Sequence, residues 1–196
     1  MSRAALSDIP AGKVAAVVTS LEMFARPPPR AGPAGAQLRL RRVDRADLDW
    51  YRDLFRRVGQ DWLWFSRLRL SDDALAAILH HPAIELHVLT AGAGDDGLLE
   101  LDFRQAETCE LSFFGVVPKL IGTGAGRFLM NRALDLAWSR PIRRFWVHTC
   151  TLDHPDALAF YIRSGFAPFR RYVEIADDPR LDGTLPRHAA PQVPIV

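Results

Sequence analysis

Gly122, Gly124 and Gly126 stand at alternate positions in Val117-Pro-Lys-Leu-Ile-Gly-Thr-Gly-Ala-Gly-Arg-Phe-Leu129, between an apolar run that reads as a strand and an amphipathic run that reads as a helix. The first turn of a helix leaves backbone N–H groups unpaired, and the helix macrodipole favours negative charge there. With no β-carbons in the way, phosphate oxygens can approach such a turn closely, so the chemistry it suits is the holding of a phosphate or pyrophosphate. Thr123 and Ala125 lie within the same turn and Arg127 adds a cation beside it. Alternate glycines also make ordinary turns and helix-packing contacts, so spacing alone leaves both readings open. The three-glycine dinucleotide fingerprint is a competitor, but it belongs after the first strand of a βαβ unit, and this turn sits late in the chain.

The elements that must position this turn follow from hydrophobic periodicity. Leu38, Leu40 and Val43 predict a strand, and Asp44 precedes an amphipathic helix carrying Leu48, Tyr51, Leu54, Phe55 and Val58, ended by Gly59. Ser71-Asp-Asp73 starts a second helix through Leu75, Ile78 and Leu79. Ile84 to Thr90 and Leu98 to Phe103 predict a hairpin around the turn-rich Ala91 to Gly97. Cys109 to Val117 is the strand entering the glycine turn, and a helix follows from about Gly124 to Trp138. Phe145 to Cys150 is a short strand, Pro155 to Ser164 a helix stopped by Gly165, and Phe169 to Ile175 a last strand. The order β-α-α-β-β-β-α-β-α-β places the chain in the α/β class with a mixed sheet.

Upstream, Lys13 to Phe24 predicts an extra N-terminal strand added at the edge of that sheet. The prolines and glycines of Arg26 to Gly35 predict a linker over residues 26–36. Residues 1–36 then form an N-terminal extension, 37–176 a single domain, and 177–196 a surface tail with no chemistry assigned to it.

The strand, the glycine turn and the following helix together resemble motif A of the GNAT superfamily of N-acetyltransferases, whose consensus Q/R-x-x-G-x-G/A covers Ile121 to Gly126. Ile121 stands where the family has Gln or Arg, which removes a side-chain contact and leaves the backbone ones. Asp153-His-Pro-Asp-Ala-Leu-Ala-Phe-Tyr-Ile-Arg-Ser-Gly-Phe166 resembles motif B, N-x-x-A-x-x-x-Y-x-x-x-G-F, with Ala157, Tyr161, Gly165 and Phe166 in register and His154 replacing Asn. The resemblance spans roughly Leu38 to Ile175 and implies an acetyl-CoA-dependent N-acetyltransferase that moves an acetyl group to a primary amine by direct attack.

It also implies roles for particular residues. Tyr161 would protonate the departing CoA thiolate as a general acid; the alternative is a tyrosine that only packs at the edge of the core. Glu110 would accept the proton of the incoming ammonium, and Glu100 is its weaker rival; the alternative is a solvated glutamate on an exposed strand face. Main-chain groups of Gly115, Val116 and Val117 would pair with pantetheine and polarise the acetyl carbonyl. Trp62, Trp64, Phe65 and Arg67 occupy the region where relatives build the acceptor pocket, although core packing accounts for aromatics equally well. A non-catalytic acyl-CoA-binding module is the main rival, which the changes at Ile121 and His154 would permit, and an interaction domain with a purely structural glycine turn is a third reading.

The totals bound the rest. Hydrophobic residues at 48% and charged residues at 24% fit a soluble globular domain, and a net charge of +2 carried mostly by dispersed arginines gives no nucleic-acid stripe. No apolar stretch is long enough to span a membrane. Two cysteines, Cys109 and Cys150, suit a reducing cytoplasm and are expected as free thiols, and no histidine spacing suggests a metal. The acceptor is read only as a small-molecule or peptide amine, and a homodimer is a modest expectation.

Overall fold

The computed structural model describes residues 6–32 and 37–196. Seven strands and four helices follow in order: β1 (Lys13–Met23), β2 (Leu38–Val43), α1 (Leu48–Gly59), α2 (Asp72–Leu79), β3 (Ile84–Ala91), β4 (Gly94–Asp102), β5 (Thr108–Val116), α3 (Ala125–Ala137), β6 (Arg144–Cys150), α4 (Ala157–Arg163) and β7 (Ala167–Asp177). The strands make one mixed sheet in the order β2-β3-β4-β5-β6-β1-β7. Every pairing is antiparallel except that of β5 with β6.

The sheet separates two apolar layers. On one face α3 and α4 bury Leu129, Met130, Ala133 and Tyr161 against Leu21, Phe145 and Val147. On the other, α1 and α2 bury Tyr51, Leu54, Phe55 and Leu75 against Leu86, Val88 and Leu98. The spacing of Tyr51, Leu54, Phe55 and Val58 is what lays α1 flat on the sheet, since side chains three and four apart share a helix face. Its N-cap is Asp47, whose side chain accepts from the Trp50 amide, three residues later than the acid expected to precede it.

The N-terminal strand forms, but not at the edge. β1 lies in the interior, antiparallel to β6 through Val18↔Cys150 and to β7 through Val18↔Tyr172, which leaves β7 as the outer strand. The unbroken burial of Val18, Thr19, Ser20 and Leu21 fits a strand flanked on both sides. The linker follows β1, with its residues 33–36 outside the described residues, as are residues 1–5 of the extension.

The hairpin turn is also shorter than expected: β4 starts at Gly94, so Asp95 and Asp96 belong to the strand. Their carboxylates are held there, Asp95 by Arg41 at 2.8 Å and the Trp50 indole at 3.0 Å, Asp96 by Lys119 at 2.7 Å. Partners from distant elements thus override the turn propensity of a Gly-Asp-Asp-Gly segment.

Candidate functional site

β5 and β6 pair only through Thr108↔Arg144, Cys109↔Phe145 and Glu110↔Trp146. Beyond Glu110 they part, while β5 remains paired to β4 as far as Val116. The opening is a cleft of about 910 Å³ that reaches from the glycine turn at one end to the loop between α1 and α2 at the other. One side of β5 therefore presents main-chain groups without a strand partner, an arrangement that can pair with an extended ligand.

At the first end, Gly124 caps α3 with φ +90° and Gly122 has φ +79°, left-handed conformations that side chains with a β-carbon rarely adopt. A β-carbon on Gly122 would meet nothing within 4 Å, so the turn opens outward. Among the described residues the amides of Gly122, Gly124, Gly126 and Arg127 find no acceptor, which leaves a cluster of donors at a helix start. Gly122, Gly124, Gly126 and Arg127 line the cleft together with Gly115 and Val116. Val117, Thr123 and Ala125 do not line it: the Val117 amide donates to the Asp96 carbonyl at 2.9 Å, and the Thr123 hydroxyl donates to the Leu120 carbonyl at 2.7 Å. Ile121 is 39% exposed, an apolar side chain at the rim of an anion cradle.

Gly115 is glycine for a steric reason. A β-carbon there would fall 2.6 Å from Val58 Cγ1 and 3.1 Å from the Trp64 ring, so α1 and Trp64 close directly onto the β5 backbone. Trp64 packs edge-on to Phe113 and tilts against Phe55, and its indole donates to Asp153 at 3.2 Å. Asp153 also accepts from the Thr149 hydroxyl at 2.7 Å and the Cys150 amide at 2.9 Å. One carboxylate therefore ties the α1–α2 loop to the end of β6 across the cleft.

Tyr161 projects from α4 between Phe114, Phe160 and Phe166, is 7% exposed, and lines the cleft. Its hydroxyl makes no hydrogen bond to another described residue. Burial, with the nearby Asp153 carboxylate, pushes this phenol well above the usual tyrosine range, so it keeps its proton. The same environment acts on thiols: burial, with Asp153 next, pushes Cys150 in the cleft wall up to about 11.

Glu110 sits at the point where the strands part. Burial first, then the Asp102 and Glu100 carboxylates, push it up to about 7, with Arg67 and Arg104 opposing. Its side chain is 26% exposed, and His148 Nδ1 lies 3.8 Å away across the gap. Glu100 is spoken for: it has no exposure, accepts from the Tyr51 hydroxyl at 2.8 Å, and pairs with Arg67 at 2.5 Å. Trp62, Trp64, Phe65 and Arg67 all line the cleft, but Arg67 is held by that pair and lies 5.0 Å over the Phe113 ring.

Three parts of this site carry no signal in the spacing of the sequence. His148 and Asp153 reach it from the far side of the cleft. The tail is the third: Leu185, Ala189 and Ala190 pack with Val14 and Leu63 and are backed by Leu152 and Ala176. Arg180, 3% exposed, fixes that tail by pairing with Asp178 at 2.6 Å and donating to the carbonyls of Ala189, Ala190 and Val193. Val14, Leu63, Leu152 and Ala176 are cleft-wall residues, so the tail buttresses that end from behind.

The family model for the Acetyltransferase (GNAT) family matches residues 49–166, more than half of the chain. No curated protein sequence matches significantly. Among solved structures, a GCN5-related N-acetyltransferase from Sphaerobacter thermophilus is similar with a TM-score of 0.60 and 16% identity, over 86% of this chain and 53% of that one. An IAA acetyltransferase from Bacillus cereus is similar with a TM-score of 0.53 and 20% identity, over 68% and 79%. An aminoglycoside acetyltransferase from an uncultured soil sample, solved with trehalose, has a TM-score of 0.54 and 16% identity, over 65% and 87%. A conserved protein of unknown function from Staphylococcus epidermidis is matched over 85% of this chain but only 64% of its own, so the chain spans about half to two thirds of the first two structures matched. At these identities the likeness is one of fold.

Proposed function

The chain belongs to the GNAT acetyltransferase family, and from that premise we propose that it transfers an acetyl group from acetyl-CoA to a primary amine within the cleft between β5 and β6. The observation that carries this reading is the convergence on one cleft of unpaired amides at the start of α3, a free strand side on β5, and two titratable groups with opposite tasks, Glu110 and Tyr161.

The residues present fit the cosubstrate. The amides of Gly122, Gly124, Gly126 and Arg127 supply donors for a pyrophosphate, and the side of β5 left open beyond Glu110 suits the amides of a pantetheine arm. When bound, acetyl-CoA supplies the activated acetyl carbon as a thioester. Glu110, half ionised near pH 7, takes the proton of the incoming ammonium, which frees the nitrogen lone pair for attack. The C–N bond forms as the C–S bond breaks, Tyr161 delivers its proton to the sulfur, and the proton then shed by the acylated nitrogen restores the phenol. Burial keeps the Tyr161 phenol protonated, so its proton is in place when the thiolate forms. Asp153 and Trp64 hold the walls at the acceptor end, where the amine enters.

The test begins with thermal melting of the purified protein with and without acetyl-CoA, in the wild type and in Gly124→Trp. Stabilisation of several degrees in the wild type, lost in the variant, is the expected result. Amine-dependent release of free CoA thiol across a panel of primary amines then reads turnover. No stabilisation in the wild type overturns the acyl-CoA reading, whereas stabilisation without turnover on any amine turns it into the non-catalytic binding module.

A further inference from the structure

The described part of the Pro-rich linker, residues 26–32, runs along α3 rather than away from the domain. Arg26 pairs with Asp135, and one helical turn nearer the start of α3 the Arg30 carbonyl accepts from the Asn131 side chain at 2.8 Å. Pro27 fills the space over Gly165, where a β-carbon would fall 3.1 Å from Pro27 Cβ. Arg30 then reaches the end of α4 and donates to the Arg163 carbonyl at 2.7 Å.

This course brings Arg30 to Arg127 and Arg163, two residues of the cleft wall beside the glycine turn. Among the described residues none of these three arginines is paired with a carboxylate, although most others in the chain are. The undescribed segments contain no acidic residue either. Arg127 Nε is buried with no hydrogen-bond partner, and its guanidinium lies 6.0 Å over the Phe160 ring. Burial and the fields of Arg30 and Arg163 pull Arg127 below the usual arginine range, which marks the three charges as mutually repelling. Three unneutralised guanidiniums brought together from three separate parts of the chain suit an anion beyond the one that the adjacent helix-start amides would hold.

CoA carries such an anion: its ribose bears a phosphate at the 3′ position in addition to the pyrophosphate. We propose that Arg30, supplied by the N-terminal linker, joins Arg127 and Arg163 in a second phosphate site that takes the 3′-phosphate of CoA. This rests on the acyl-CoA reading of the cleft and gives the N-terminal extension a part in choosing the cosubstrate.

Calorimetric titration of CoA and of 3′-dephospho-CoA into the wild type, Arg30→Ala and Arg163→Gln separates the claims. The wild type is expected to bind CoA about tenfold more tightly than the dephospho form, as charge-assisted bonds to one phosphate allow. Each variant is expected to lose most of that preference while binding the dephospho form as before. Arg163→Gln serves as the second variant because its side chain makes no hydrogen bond among the described residues, so its loss leaves the linker seated. Equal weakening of both ligands by both variants, or no preference in the wild type, overturns the second site while leaving the CoA reading intact. Failure of the wild type to bind either ligand overturns both.

Discussion

The two ends of the cleft are built in different ways. At the glycine turn the working groups are main-chain amides, contributed by residues that follow one another in the chain, and their geometry depends on a few positive φ angles. At the acceptor end the working groups are side chains from α1, the loop after it, β5, β6 and the tail, held by Asp153, Glu100 and the Arg180–Asp178 pair. A backbone cradle recognises a charge common to many ligands, whereas a wall of distant side chains recognises a shape. Changes at the second end should therefore alter rate and acceptor preference while leaving cosubstrate affinity unchanged.

The sharpest way to break this division is Tyr161→Phe, which removes one hydroxyl from the boundary between the two ends. A fall in kcat of about 10³-fold is expected with an unchanged Kd for acetyl-CoA, in the range for removing a general acid. A parallel loss of CoA affinity would show that the hydroxyl belongs to the cradle. Next in size is Arg180→Ala, which leaves Asp178 buried without its partner; a loss of about 3 kcal/mol in unfolding free energy is expected from denaturant titration. The acceptor KM should rise with it, since the tail backs the wall at Leu63 and Leu152.

Glu110→Gln is expected to lower kcat/KM by about 10²-fold near neutral pH. In the wild type the base is the ionised carboxylate, so kcat/KM should rise through pH of about 7, and that inflection should vanish in the variant. Stability runs the other way. The folded state holds this proton more tightly than an ordinary glutamate with its value of 4.5, so the stabilisation is present below that pH and is lost as pH climbs to about 7. Glu110→Gln should consequently melt about 3 °C above the wild type at pH 8 and level with it at pH 4. Asp153→Asn makes the smallest change, an acceptor KM raised by about tenfold with CoA binding intact, because it loosens the staple between Trp64 and β6 without removing either wall.

The contrast between the two ends also governs how much the sequence discloses. The order of elements from β2 to β7 and the glycine turn at the start of α3 follow from local periodicity and from spacing within short segments, and the structure has them. Gly115, Glu110 and Tyr161 stand out only through the family resemblance, and the structure brings all three to the wall of one cleft. The interior place of β1 does not follow, because alternation identifies a strand without saying what lies on either side of it. The early start of β4 is hidden in the same way: Asp95 and Asp96 look like turn formers until Arg41, Trp50 and Lys119 arrive from elsewhere. His148 stands 38 positions from Glu110 and meets it only because two strands part at that level. The tail, to which the sequence assigns no chemistry, backs the acceptor wall through Leu185, Ala189 and Ala190.

The interior position of β1 sets an order of events on the ribosome. Of the seven strands it emerges before the rest, whereas its two neighbours, β6 and β7, emerge after the other four. At the usual pace of synthesis the strand must wait on the order of ten seconds, with Val14, Val18 and Leu21 uncovered, before β6 and β7 exist to receive it. Until that moment the sheet is two separate pieces, and the last strand made cannot add to the rest, since its only path of hydrogen bonds to them runs through the first.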